Sequence, residues 1–120
     1  MPGEPINPVE VEQAIRDIAN EIALGVRLVS DRLAAYRAAE REYDLEFARA
    51  YMSFSGPAHM RKYAAEIETT SLREARDVAE AAWRLADRRA RAQETELSAY
   101  QSINRSVTQM YGAAGVMGRG

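Results

Sequence analysis

The side chains able to do chemistry in this sequence are few and scattered. His59 is the sole histidine, and there is no cysteine. A zinc site would therefore rest on carboxylates almost alone, and no metal ligand set is expected. Glu40 stands alone on an otherwise apolar row. A catalytic carboxylate wants a second acid, a base or a metal ligand beside it. None shares that face, so Glu40 is expected to accept a hydrogen bond from Ser71 across a helix pair. No Ser/His/Asp set, P-loop or glycine-rich phosphate cradle occurs, because the glycines between 112 and 120 follow a helix instead of opening one. No catalytic, cofactor-binding or metal residue is assigned, no cofactor is expected, and the class expected is non-enzyme.

One row of cations is denser. Arg73, Arg76, Arg84, Arg88 and Arg91 fall within about a third of a helix circumference, which is the pattern of a phosphate-tracking ridge. Asp77, Glu80, Asp87 and Glu94 share that face, however. Glu80 before Arg84 and Asp87 before Arg91 have the favourable acid-first order of a solvated salt-bridge face. Trp83 lies near the edge of the ridge, away from the expected seam, and is a candidate for contact with a protein or a nucleic acid. Arg89 and Gln93 interrupt the apolar row of the same helix. There Arg89 either fixes the register of the pair or reaches out to water.

These residues sit in a sequence built for helices. Hydrophobic residues make up 47% of the 120, but aromatics only 8%; alanine is the commonest hydrophobic residue, which suits a thin seam. Charged residues reach 28% with a net charge of −2, which argues against binding nucleic acid through bulk positive charge. No apolar run approaches the roughly 20 residues of a membrane span. Met1-Pro2-Gly3-Glu4-Pro5 does not read as a signal peptide. A cytoplasmic protein is the expectation.

The expected organisation is a flexible lead-in over 1–7, a helical hairpin over 8–111 and a flexible glycine-rich tail over 112–120. Asn7 caps the first helix and Pro8 suits its first position, with Glu10 placed for a capping box. The helix runs over 8–52 with a stripe of Val11, Ile15, Ile18, Ile22, Val26, Val29, Leu33, Tyr36, Glu40, Tyr43, Phe47 and Tyr51. The mean step is about 3.64 residues, so the helix should be nearly straight. Residues 53–57 form a turn in which Gly56 ends the first helix in a left-handed conformation and Pro57 starts the second. The second helix spans 58–111 with a stripe of Met60, Ala64, Ile67, Ser71, Ala75, Val78, Ala82 and Leu85, then Leu97, Tyr100, Ile103, Val107 and Tyr111. Thr69-Thr70-Ser71 is a weak point in it, and its continuity through 69–71 and 89–96 is left open.

Counting from Gly56 places Tyr100, Ile103, Val107, Met110 and Tyr111 beyond the start of the first helix, with no partner in the chain. The fold class is therefore all-α, a long antiparallel, coiled-coil-like hairpin. A homo-oligomer, a dimer or higher, is expected to complete it through those five residues.

The turn carries a family resemblance. Tyr43-Asp44-Leu45, Phe47-Ala48-Arg49-Ala50-Tyr51-Met52, Gly56-Pro57 and Lys62-Tyr63-Ala64-Ala65-Glu66 resemble a pattern in small helical early-region proteins of tailed bacteriophages. Their closing motif would correspond to Tyr100-Gln101-Ser102-Ile103, with Tyr100 in place of the usual leucine. Fifteen arginines against one lysine suggest a GC-rich, actinobacterial setting. The resemblance implies no catalytic residue. It implies an accessory protein in the bacterial host cytoplasm, acting through helical surfaces on a phage or host protein in DNA replication or recombination, or on a host factor. Two alternatives stand beside it: a single-stranded-DNA-binding module using the arginine ridge with Trp83 or Tyr100, and a virion assembly or scaffold component.

Overall fold

The computed structural model describes residues 7–119 along the backbone and side chains through Gly112. Every regular element in that range is helical. Helix α1 spans Pro8–Ser53, a 3-10 turn covers Ala58–Met60, α2 spans Arg61–Glu68, and α3 spans Thr70–Arg119. The all-α hairpin class read from periodicity is the observed one. Asn7 caps α1 as expected: its Oδ1 accepts the Val9 amide at 2.9 Å, and its carbonyl accepts that of Val11 at 3.1 Å. Residues 1–6 of the expected lead-in lie outside the described residues.

The second arm is two helices, because the chain breaks at Thr69. The Thr69 hydroxyl donates to the Ala65 carbonyl at 2.7 Å, and the Thr70 hydroxyl to that of Glu66 at 2.9 Å. Such side-chain bonds compete with the helical ladder, and Thr69 leaves helical geometry at φ −104° and ψ 15°. Through 89–96 the helix is unbroken. Past Tyr111 it also continues, to Arg119, where a glycine-rich tail is expected from sequence. Each glycine costs a helix only about 1 kcal/mol relative to alanine. Ala113, Ala114, Val116 and Met117 separate the glycines, and no proline intervenes.

At the turn, Gly56 is not left-handed. A side chain there would instead meet the Phe54 ring at 2.5 Å, so the glycine makes room for an aromatic ring folded over the backbone. Pro57 holds the cap position before Ala58, at φ −58° and ψ 138°, and its carbonyl accepts the Met60 amide at 3.0 Å.

The chain divides into two helical units. One holds Arg27–Arg88; the other joins α1 up to Val26 with the chain from Arg89 onward. In the Arg27–Arg88 unit the arms are antiparallel, since Tyr51, Tyr43 and Tyr36 meet Arg61, Arg76 and Trp83 in turn. The inward face of α1 is nearly the expected stripe, with Val29, Leu33, Tyr36, Glu40, Tyr43 and Phe47 covered. The inward face of the second arm differs. It carries Ala65, Thr69, Leu72, Arg76, Ala79, Trp83 and Ala86, while Ile67 and Val78 of the expected stripe are 77% and 70% exposed.

The aromatic row of α1 explains that rotation. Tyr36, Tyr43 and Tyr51 offer flat faces, and the second arm answers with the residues that bind such faces best, one tryptophan and two arginines. Burying a large ring gains more than burying Val78 at about 25 cal/mol per Å². The aliphatic row is left outside.

In the other unit, Gln93 Nε2 donates to Glu21 Oε2 at 3.5 Å, and its amide oxygen lies 3.1 Å from where a side chain on Gly25 would begin. Equal steps along the two helices from that contact bring Val107 alongside Val11, and they are 7% and 5% exposed. The expected overhang is therefore overturned at Val107, which is buried, while Tyr100 is half-buried. Ile103, Met110 and Tyr111 remain exposed. The count from Gly56 failed because the register shifts along the second arm: Tyr51 meets Arg61, as that count expects, but Tyr43 meets Arg76 and Tyr36 meets Trp83.

Candidate interaction surface

The densest constellation of polar and aromatic side chains lies inside the Arg27–Arg88 unit. Tyr36 stacks on Trp83, with ring centroids 5.7 Å apart and planes at 8°. Arg84 lies over the Trp83 ring at 5.2 Å, and Arg37 over the Tyr36 ring at 5.6 Å. Arg76 covers Tyr43 at 4.7 Å and bonds to Asp77 at 3.0 Å. Nearer the turn, Arg61 lies over Tyr51 at 5.4 Å, and its Nε is buried with no hydrogen-bond acceptor. The electron-rich ring face provides the compensating negative charge there.

Two carboxylates frame Tyr36. Its hydroxyl donates to Glu40 at 2.9 Å, and Arg37 approaches the other Glu40 oxygen at 3.3 Å. The expected bond from Ser71 to Glu40 is thus replaced by two partners on the same helix. Glu80, bonded to Arg84 at 3.1 Å, also engages the Tyr36 hydroxyl. Glu40, which accepts its hydrogen bond, and then Glu80 beside it push the Tyr36 hydroxyl up to about 12. The Tyr36 hydroxyl and the Arg84 guanidinium in turn hold Glu80 below the usual carboxylate range.

A phenol whose folded value exceeds its unfolded value stabilises the fold fully below about pH 10. That contribution is lost as pH rises through the folded value near 12. Of the six tyrosines, one is expected to ionise last in an absorbance titration at 295 nm. Glu40→Ala should move that step down toward about 10. Six tyrosines titrating together in the intact protein would contradict the arrangement.

The arginine ridge is therefore not one surface. Arg76 and Trp83 belong to the seam, contrary to the expectation that Trp83 points away from it, and the Trp83 ring is already held by Tyr36 and Arg84. Arg73, Arg84, Arg88 and Arg91 are exposed. The ion pairs of the ridge are local, Arg84 with Glu80 and Arg76 with Asp77. A base stacking on Trp83 would have to displace Tyr36 or Arg84 from its ring.

What the unit does present is apolar. Met60 at the end of the 3-10 turn, Tyr63 and Ile67 on α2, and Val78 and Leu85 on α3 recur at helical spacing, all exposed. Periodicity finds this row, but it cannot tell the inward face from the outward one. Among the described residues no group of three or more His, Cys, Asp or Glu is placed to hold a metal ion, and no helix is long and apolar enough to cross a membrane.

No family model, curated protein or solved structure matches this chain.

Proposed function

We propose that this chain is a non-enzymatic interaction protein whose working surface is the outer face of α2 and α3. The observation that carries the reading is that the second arm has two apolar faces, of which the hairpin uses one. Val78 and Ile67 are 70% and 77% exposed, with Leu85 on the same side. Large apolar side chains aligned in one exposed row mark a contact surface more often than isolated ones do. The resemblance at the turn supports a phage accessory role in the bacterial host cytoplasm. The bound protein would then belong to phage DNA replication or recombination, or would be a host factor.

The surface is tested by a photo-crosslinking phenylalanine analogue at Val78 of the full chain, produced and irradiated in the bacterial cytoplasm. A covalent adduct with another polypeptide, either a second copy or a different protein, is expected. The same analogue at Ala38, exposed on α1, should give far less. Val78 yielding no more adduct than Ala38 would remove the basis of the reading.

A further inference from the structure

Charge along the outer face of α3 is arranged by position. One row of the helix runs Glu74, Asp77, Ala81, Arg84 and Arg88, spaced by three and four residues so that all lie on one side. Both acids precede Ala81 and both arginines follow it. Glu74 and Arg88 are exposed and make no ion pair among the described residues. The row borders Val78 and Leu85, which lie on either side of the same alanine.

We propose that this face binds a second copy of the chain, antiparallel, across a two-fold axis at Ala81. The inference rests on the reading of the outer face as the working surface and names its occupant. Reversing one α3 against another about Ala81 sets Glu74 of each copy opposite Arg88 of the other. Asp77 then approaches the level of Arg84, and Val78 packs against Leu85. The alanine at the crossing lets the backbones come close. In a parallel pair the same row would bring acid beside acid and arginine beside arginine, which is repulsive. The pattern is self-complementary in one orientation only, as an isologous contact requires.

The absence of cysteine makes the geometry directly testable by single substitutions in the full chain. Ala81→Cys is expected to form a disulfide-linked dimer under mild oxidation. Glu74→Cys alone should not, because its two copies would be about 21 Å apart along the helices at 1.5 Å per residue, whereas a disulfide needs Cα atoms within about 7 Å. Mixing Glu74→Cys with Arg88→Cys should restore cross-linking. In sedimentation equilibrium the unmodified chain should have twice the monomer mass. Glu74→Arg or Arg88→Glu should each weaken the dimer about tenfold, with the double exchange recovering it.

A monomeric mass at tens of micromolar would overturn self-association. An adduct between the Val78 analogue and a different protein would still stand in that case, so failure here is separable from failure of the interaction reading. Efficient self-cross-linking of Glu74→Cys would overturn the antiparallel orientation.

Discussion

Trp83→Ala is expected to destabilise the Arg27–Arg88 unit by about 3 kcal/mol, the low end for removing a packed tryptophan. Trp83 is half-buried, so its loss combines a partial cavity with the end of the 5.7 Å stack on Tyr36. An aromatic pair of that kind contributes about 0.5–1.5 kcal/mol beyond the area it covers. Arg84 loses the ring beneath its guanidinium, which adds a smaller share. Trp83→Phe, which keeps a ring against Tyr36, should cost roughly 1 kcal/mol, as a reduced version of the same deletion. Urea unfolding followed by far-ultraviolet circular dichroism measures both, since the substitution removes the only tryptophan fluorophore. A surface tryptophan outside the seam would cost under about 0.5 kcal/mol. A loss that small for Trp83→Ala would return the residue to the exterior.

Ala65→Leu should cost about 2 kcal/mol through the opposite fault, too much volume. Ala65 has no exposed surface at all. Its carbonyl also accepts both the amide and the hydroxyl of Thr69, at 3.1 and 2.7 Å. A larger side chain would push α2 outward just where its last turn is tied to the break before α3. Ala75→Leu is the matched control. Ala75 is exposed, and leucine is nearly as good a helix former as alanine. That variant should fall within about 0.5 kcal/mol of the parent chain. Thermal unfolding of the two side by side gives the answer; equal melting temperatures would mean that the space around Ala65 can open freely.

The residues divide according to whether local or non-local physics decides them. The helical class, the cap at Asn7, the turn near Gly56 and the inward face of α1 are local matters. They follow from a proline-free run with one apolar stripe, a capping side chain, and a Gly-Pro pair. The weakness at Thr69 is local too, because it arises from hydroxyls bonding to carbonyls one turn back.

The face of the second arm is a different kind of question. Its sequence holds two rows at helical spacing, Ile67, Val78 and Leu85 on one side, and Ala65, Leu72, Trp83 and Ala86 on the other. Aliphatic periodicity selects the first. The tertiary structure selects the second, since only there do Trp83, Arg76 and Arg61 meet the rings of Tyr36, Tyr43 and Tyr51. Which row wins depends on what the other arm presents, and a single helix carries no information about its partner. The pairing of Val107 with α1 was hidden for a related reason: the register changes along the second arm, between Arg61 and Arg76. By itself the sequence determined that there are two helical arms, where the chain turns between them, and which residues of each recur at helical spacing. Only the packing of rings against cations decided which of those residues face inward, and so which are left for a partner.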